Sequence, residues 1–349
     1  MSGDDSSAVA RTAGDPQAVY DTLYEEMGRV LVGNEAVVGR LTIAILTRGH
    51  VLVEGVPGVA KTTIAELFAR ATDLEYRRIQ MTPDVLPADI TGTQIYREHT
   101  GEFELQRGPI FANVVVADEL NRATPKTQSA LLEAMEERRV TIEGETLALP
   151  EPFLVVGTQN PIEMEGVFEL PEAQRDRFQL KVTIDLPDRA DERALLDRFD
   201  DAPELSASDV DAVVAADDLL AARAAVADGY LADPVKAYVL DLVGATREHP
   251  DVAHGASPRA TLAFTNAAKA RAAIRGREYV IPDDVKALAE SILAHRLVLN
   301  PDAELSGVSQ TAVVEDVLET VEPPSVEPDD DGSATFEYEE ETNERVTHE

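Results

Sequence analysis

The chain has 349 residues, and its 66 Asp and Glu side chains outnumber its 31 Lys and Arg side chains, so the formal net charge is -35. Its length and its 44% content of hydrophobic residues are sufficient for two globular domains with sizeable cores. The sequence has no cysteine, which excludes disulfides, thiolate metal sites and cysteine nucleophiles, and no apolar run approaches the ~18 residues of a membrane span.

The acidity is distributed over the whole chain. Residues 321–349 contain eleven acids and one Arg, yet the other residues still carry a net charge of about -25. Dense carboxylates with only six lysines are typical of halophile proteins that stay soluble in concentrated salt, and an acidic interaction tail is the alternative. Because residues 1–5 are acidic where a signal peptide is basic, we expect a cytoplasmic protein that does not enter a membrane.

The first domain is predicted over residues 15–187, after a disordered segment at 1–14. Asp15 and Pro16 predict a helix start, and this first helix is expected to end at Val32 and Gly33. Strands are then predicted at 51–54, 76–80, 114–117, 153–157 and 180–184. Buried β-branched strands that alternate with helices predict a doubly wound, mainly parallel α/β sheet, whose ligands lie at the C-terminal ends of the strands.

A glycine-rich turn between the first strand and the following helix predicts a phosphate-binding loop. Its residues are Gly55, Val56, Pro57, Gly58, Val59, Ala60, Lys61, Thr62 and Thr63. Backbone N–H groups and the helix dipole would bind the phosphates, with Lys61 on the outer phosphates and Thr62 on Mg²⁺. Ala60 replaces the second glycine of the strict pattern, and we expect a helical φ/ψ that tolerates its methyl group. An ordinary strand-to-helix turn is the alternative.

Polar residues follow two of the other predicted strands. Asp118 and Glu119 come directly after the unbroken apolar run 114–117, and Asn160 follows the strand at 153–157. A buried carboxylate costs several kcal/mol unless a cation or hydrogen bonds compensate, so a purely structural role is disfavoured. We expect these three side chains to lie beside Lys61 at the C-terminal edge of the sheet.

Two hairpins and a helical second domain complete the predicted organisation. Alternating residues around glycine turns predict hairpins at 92–107 and 140–149. After Pro187 no convincing strand follows, and alanine-rich helices are predicted at 189–199, 208–227, 234–248, 258–275 and 282–295. The second domain is therefore expected to be all-α over 188–320, and the acidic tail 321–349 to be disordered.

From about residue 27 to 300 the chain resembles the MoxR family of AAA+ ATPases. Residues 55–62 resemble its Walker A loop, 115–122 its Walker B strand and 158–161 its sensor 1 segment. Residues 176–178 are similar to its arginine-finger segment, 257–260 to its sensor 2, and Val32 and Gly33 to its adenine-side loop. The two predicted hairpins resemble the helix-2 insert and the pre-sensor-1 hairpin of that clade.

The resemblance implies an AAA+ P-loop NTPase core, followed by a smaller all-α lid, with ATP and Mg²⁺ as cofactors. Thr62 and Asp118 would hold Mg²⁺, while Glu119 polarises the attacking water and Asn160 orients it.

Two arginines are also implied in catalysis. Arg259 would contact the γ-phosphate from the lid of the same subunit, and Arg177 would enter the neighbour's site as the arginine finger. Arg175 is a second candidate for that finger, with a solvated interface cation as its alternative role. For Arg177 the alternative is a structural ion pair.

The implied function is an ATPase ring, most simply a hexamer, that remodels partner proteins or assists cofactor insertion, with a von Willebrand factor A domain protein as partner. A nucleic-acid motor is the rival, but the hairpin 140–149 carries Glu143 and Glu145 and no cation, whereas a loop that tracks nucleic acid is basic. A magnesium-chelatase-like motor is a second rival. A scaffold without turnover is disfavoured by Glu119 and Asn160.

Overall fold

The computed structural model describes residues 14–33, 35–99, 101–161, 167–168, 170–202, 204, 206–328 and 334–337. Most of the segment predicted to be disordered at the N-terminus lies outside these residues. Within them, no helix has both the length and the apolar character required to cross a membrane.

The first domain is built on a five-stranded parallel sheet. Its helices are α1 (Pro16–Gly28), α2 (Glu35–Leu46), α3 (Lys61–Ala71), α4 (Pro87–Thr91), α5 (Pro125–Glu137) and α6 (Glu172–Arg175). Its strands are β1 (Val51–Gly55), β2 (Tyr76–Gln80), β3 (Gly92–Arg97), β4 (Glu102–Arg107), β5 (Val114–Asp118), β6 (Arg139–Ile142), β7 (Glu145–Ala148), β8 (Leu154–Gln159) and β9 (Leu180–Ile184). The sheet order is β2-β5-β8-β1-β9, which confirms the predicted doubly wound α/β fold.

Alternate residues of the central strands enter two separate hydrophobic cores. Val51 and Val53 of β1 belong to one core, whereas Leu52 between them belongs to the other. This alternation is the period-2 geometry of a strand that is covered on both faces. Because all five strands are parallel, their C-terminal ends lie along one edge of the sheet.

Both hairpins are present. β3 pairs with β4, and β6 pairs with β7, each in an antiparallel register. Tyr96 and Phe103 face each other across the first hairpin with ring centroids 5.3 Å apart, and both remain largely exposed. The predicted hairpins at 92–107 and 140–149 are thus confirmed to within a residue or two.

Within the residues described, the second domain is helical except for one short ladder and an isolated bridge between Tyr230 and Tyr279. Its helices are α7 (Arg189–Asp201), α8 (Ala216–Asp228), α9 (Asp233–Glu248), α10 (Pro258–Ala273), α11 (Pro282–Leu293), α12 (Pro301–Leu305) and α13 (Gln310–Thr320). The expectation of a purely α domain is wrong at β10 (Val252–His254) and β11 (Val298–Leu299), which pair antiparallel. β10 lies between α9 and α10, and β11 lies after α11. Backbone N–H and C=O groups outside the helices need hydrogen-bond partners, and the pairing of β10 with β11 provides them.

One helix of this domain begins later than predicted. The sequence pattern predicts a helix from residue 208, but α8 begins at Ala216. The reason is that the N–H groups of Val213 and Val214 donate to Ala71 O of the first domain, at 2.9 and 3.0 Å. An extended segment therefore attaches the lid to the end of α3, and the two domains share one continuous core.

The acidic tail contains a short hairpin. β12 (Ser325–Pro328) pairs antiparallel with β13 (Ala334–Glu337). Disorder predicted for 321–349 is therefore wrong for these eight residues. The two strands contain Val326, Thr335 and Phe336, which are residue types that favour strands.

Candidate functional site

The phosphate-type loop requires glycine at two positions for different reasons. A Cβ on Gly55 would lie 2.6 Å from Ile184 O of β9, so the close approach of two strands excludes any side chain there. Gly58 has φ +91°, a conformation that L side chains rarely adopt. Both features turn the chain at the end of β1 so that α3 begins directly at Lys61.

The helical φ/ψ expected for Ala60 is wrong. Ala60 has φ 59° and ψ 22°, which is the left-handed conformation, and the helix begins one residue later. This conformation costs a non-glycine residue roughly 1–2 kcal/mol, which explains why the strict motif has glycine there. Alanine is accommodated because the loop must reverse direction at this point to start α3.

Lys61 lies inside the loop that it follows. Its ammonium donates to Gly55 O and, at 3.2 Å, to Val56 O. Ala60 has no side-chain acceptor to cap α3, so the first-turn N–H groups are directed toward the loop. A concentration of N–H groups, a lysine and a positive helix end is an anion-binding arrangement.

Asp118 is the buried carboxylate at the end of β5, and it is 7% exposed. Its Oδ1 accepts from Thr158 Oγ1 at 2.5 Å, and its Oδ2 accepts from Arg78 Nε at 3.0 Å. Thr62 Oγ1 of α3 donates to Oδ2 at 3.4 Å. The structure therefore brings the phosphate-type loop and the buried carboxylate together, and Arg78 supplies the cation that offsets the burial of the charge.

Glu119 turns sharply away from β5 in a left-handed conformation, with φ 56° and ψ 49°. Its N–H donates to Thr158 Oγ1 at 2.9 Å. Its carboxylate accepts from Gln80 Nε2 at 2.6 Å and from Arg122 Nη1 at 3.0 Å. Thr158 thus binds both acids at once, so their relative position is fixed by the end of the neighbouring strand.

Asn160 follows β8 directly and is 7% exposed. Its position after Gln159 places it at the same edge as Lys61, Asp118 and Glu119, as the parallel strand pattern predicts. The four residues expected at this edge are therefore at neighbouring strand ends.

Sequence reasoning missed the residues that hold the carboxylates in position. Arg78 and Gln80 lie two residues apart on β2, and the register pairs Gln80 with Asp118. The sequence does show polar side chains at alternate positions of a short strand. This pattern points to the carboxylates of β5 only when β2 is known to be the neighbouring strand.

Arg177 and Arg259 lie together, away from the phosphate-type loop. Arg177 Nη2 is 3.2 Å from Glu136 Oε2, and Arg259 Nη2 donates to Glu136 Oε1 at 2.6 Å. Both arginines line a cavity of about 270 Å³ between α5 and the lid. One carboxylate near the end of α5 therefore holds a first-domain arginine and a lid arginine side by side.

This pair lies at the opposite edge of the sheet from Lys61. His50 Nε2 donates to Met135 O at 3.2 Å, which places the end of α5 beside the first residue before β1. The loop begins at the other end of β1, and five strand residues span about 16 Å. Arg259 is therefore not positioned to reach phosphates at the loop of its own chain, which corrects the expected role. Helix α10 of the lid, which carries Arg259, packs at the N-terminal edge of the strands, a placement that helix caps and composition do not determine.

Val32 and Gly33 lie between the first domain and the lid. Gly33 has φ +69°, and a Cβ there would lie 2.8 Å from Asp191 Oδ2 in the first turn of α7. Arg198 of α7 donates to Leu31 O at 3.1 Å, so the lid covers this segment. This is therefore a left-handed turn at the domain junction that α7 of the lid covers.

The oxygen ligands near the loop suit Mg²⁺. Mg²⁺ usually takes one or two protein oxygens and completes its shell with water and substrate phosphates. The Thr62 hydroxyl and the Asp118 carboxylate provide two such oxygens. Among the residues that the structure describes, no group of three or more His, Cys, Asp or Glu side chains could hold a metal by itself.

Comparisons with known proteins agree with this geometry. Family models match residues 50–180 as the ATPase family associated with various cellular activities (AAA) and residues 244–317 as an AAA lid domain.

Chaperone MoxR1 of Mycobacterium tuberculosis is 45% identical over 310 residues, which cover 86% of this chain and 81% of that protein. Protein MoxR of Methylorubrum extorquens is 32% identical over 323 residues, which cover 85% and 91%. A solved structure of a proposed ATPase from Cytophaga hutchinsonii has a TM-score of 0.82 at 40% identity, and the match covers 88% of this chain and 95% of that chain. The chain belongs to the MoxR family of AAA+ ATPases.

Proposed function

We propose that this chain binds ATP with Mg²⁺ at the C-terminal edge of its sheet and hydrolyses it. The observation that carries the proposal is the contact between the loop and the buried Asp118, whose Oδ2 lies 3.4 Å from Thr62 Oγ1, with Glu119 as the next residue of the chain. A loop that only turned the chain would not need a lysine folded into it, two glycines fixed by backbone geometry and a buried acid beside it.

Each residue at this edge has a distinct part in the proposed reaction. Lys61 and the loop N–H groups bind the outer phosphates, and Thr62 and Asp118 hold Mg²⁺, which neutralises phosphate charge when bound. Glu119 accepts the proton of the attacking water, and Asn160 orients that water.

Neighbouring groups support these parts. Gln80 and Arg122 bind the Glu119 carboxylate, and Thr158 fixes its backbone, so the proposed base is positioned before substrate arrives. Val32 and Gly33 form the adenine side of the proposed site.

The site is proposed to be completed by a neighbouring copy of the chain. AAA+ ATPases commonly form rings, and we propose six subunits here. Arg177 and Arg259, held together on Glu136 at the opposite sheet edge, would both face the next subunit's phosphates. An arginine supplied in trans contributes roughly 10³ to 10⁵ in rate. Arg175 remains the second candidate for this part.

The biological role proposed is remodelling or maturation of partner proteins, with a von Willebrand factor A domain protein as the partner. Its support is the similarity to MoxR proteins, one of which is described as a chaperone. The nucleic-acid alternative is not favoured, because Glu143 and Glu145 at the turn of the β6–β7 hairpin are exposed carboxylates.

Subunit mixing tests the shared site. Arg177→Ala should bind ATP yet hydrolyse it poorly, and Lys61→Ala should not bind ATP. A mixture should recover activity, because some junctions combine an intact Lys61 with an intact Arg177. The measurement is phosphate release against mixing ratio, under conditions in which subunits exchange.

The matched control is Arg175→Ala, mixed with Lys61→Ala in the same way. If Arg177 is the finger, Arg175→Ala alone should retain most of its turnover. Activity of the Arg177→Ala mixture that never exceeds the sum of the separate variants, despite demonstrated mixed assembly, would contradict the shared site.

A further inference from the structure

Arg296 of the lid binds the segment that carries Arg177. We name residues 175–179 the finger segment. The Arg296 side chain is 3% exposed and donates from Nε to Asp176 Oδ1 at 2.7 Å. It also donates from Nη2 to Phe178 O at 2.8 Å and from Nη1 to Gln179 O at 3.2 Å. One lid side chain therefore restrains both a carboxylate and the backbone of the finger segment.

A second lid element binds the same segment. Ser257 Oγ donates to Asp176 Oδ2 at 2.8 Å, and it also caps α10 by accepting from Arg259 N at 3.1 Å. His295 Nε2 donates to Phe178 O at 3.0 Å. Both oxygens of Asp176 are thus bound by the lid, one by Arg296, three residues after the end of α11, and one by Ser257, the N-cap of α10.

The lid also binds the first domain on its nucleotide side. Arg198 Nη1 of α7 donates to Gly28 O and to Leu31 O, each at 3.1 Å. Asp191 of the same helix lies against Gly33. The lid therefore contacts the proposed adenine-side turn at one end and the finger segment at the other.

The Asp176–Arg296 pair is costly to bury. Burial lowers the pKa of Arg296, and the hydrogen bond and charge of Asp176 act in the opposite direction. Replacing a buried ion pair of this kind by apolar residues is often neutral or stabilising, so its contribution to stability alone is a weak reason for its presence. Directional hydrogen bonds do fix orientation, and here they fix the residue next to Arg177.

We propose that Asp176, Arg296 and Ser257 are positioning residues that make the finger segment move with the lid, so that the lid's contact with one ATP site sets the orientation of Arg177 at the next. This proposal rests on the shared site proposed above. Because Glu136 also holds Arg177 and Arg259 together, the two arginines would reach or leave the neighbour's phosphates as one unit. Adjacent sites in the ring are thereby coupled through a short chain of hydrogen bonds.

A purely structural role for this pair is the alternative, and mixing distinguishes the two. Asp176→Asn keeps the size of the side chain and removes its charge. We expect this variant to assemble, to bind ATP as the wild type does, and to lose about tenfold or more of its turnover. Mixing it with Lys61→Ala should restore activity, because that partner supplies a correctly held finger. Mixing it with Arg177→Ala should not, because neither partner supplies one.

Two controls accompany the test. Asp284→Asn removes a carboxylate from another buried pair of the lid, in which Asp284 binds Arg277 through two contacts of 2.7 Å away from the finger segment. It should lose stability but retain turnover. The mixture of Lys61→Ala with Arg177→Ala must itself recover activity, and its failure would reject the shared site rather than the coupling.

Arg296→Lys is the second variant, for the case in which Asp176→Asn does not assemble. It keeps the positive charge and loses the forked set of donors, and it should give the same pattern of rescue. Wild-type turnover in either variant would overturn the proposal. Equal rescue by both partners, or rescue by neither, would also overturn it, since the defect would then lie outside the finger.

Discussion

Ala60 and Glu119, on two sides of the proposed ATP site, both hold left-handed backbone conformations. Strain of this kind costs of order 1–3 kcal/mol per residue and persists only where the surrounding structure fixes it. At Ala60 the strained turn directs the first N–H groups of α3 toward the loop. At Glu119 it separates the proposed base from Asp118, so that two adjacent carboxylates can have different partners.

His50 provides a residue-level prediction about pH. Burial lowers the pKa of His50 to about 3, the charge of Arg138 acts in the same direction, and the hydrogen bond to Met135 O opposes both. In the folded chain Nδ1 accepts from Val155 N at 3.0 Å, so this nitrogen carries no proton. Between pH 6.5 and 3 the unfolded chain binds a proton at this residue that the folded chain does not, so acidification favours unfolding. We expect His50→Gln to reduce the loss of unfolding free energy between pH 7 and pH 5.5 by about 1 kcal/mol.

The measurement is urea unfolding at both pH values and constant high KCl, for wild type, His50→Gln and the control His99→Gln. His99 is exposed, and its replacement should leave the pH dependence unchanged. Equal pH dependence in all three proteins would show that His50 can take up a proton in the folded chain.

The residues of the site were predictable to different degrees. Lys61, Asp118 and Asn160 follow buried strands, and the ends of parallel strands must share an edge, so their proximity follows from the sequence pattern. The partners Arg78 and Arg122 do not follow from it. The position of Arg78 depends on the order of the strands in the sheet, and that of Arg122 depends on the left-handed turn at Glu119, which the residue types do not predict.

At the scale of elements, the approach of β1 to β9 makes a second prediction. A Cβ on Gly55 would meet Ile184 O at 2.6 Å, so Gly55→Ala must separate two paired strands at the start of the loop. We expect it to lower the free energy of unfolding by roughly 1–3 kcal/mol and to weaken ATP binding. Chemical unfolding and binding of a fluorescent ATP analogue measure the two effects.

The matched control is Gly244→Ala within α9. No atom lies within 4 Å of a Cβ at that position, and alanine is favoured over glycine in a helix by about 1 kcal/mol. The control should therefore stabilise the protein and leave ATP binding unchanged. Similar stabilities for the two variants would mean that β1 and β9 are not in close contact at Gly55.

The elements were largely predictable, but their arrangement was not. Strand patterns and helix caps such as Ser257 with Pro258 identify local structure because they depend on neighbouring residues only. The position of Arg259 at the N-terminal edge depends on how the lid packs against α5, through contacts such as that with Glu136. Such contacts join residues that are far apart in the sequence and leave no local periodicity.

At the scale of the whole molecule, the net charge of -35 predicts a dependence on salt. Repulsion between carboxylates destabilises the compact state at low ionic strength, and molar salt screens it. We expect the melting temperature, followed by circular dichroism, to rise steeply between 0.1 M and 2 M KCl. A flat or falling curve would reject the halophilic interpretation of the composition.

The central claim, hydrolysis of ATP at the edge formed by Lys61, Asp118 and Glu119, is tested most directly by Glu119→Gln. The amide keeps the size of the side chain and removes the proposed base, so ATP should bind with wild-type affinity while turnover falls by about 10²-fold or more. Lys61→Ala should instead lose binding, as measured with the same fluorescent ATP analogue. Phosphate release by Glu119→Gln at the wild-type rate would contradict the role of Glu119 and with it the proposed site.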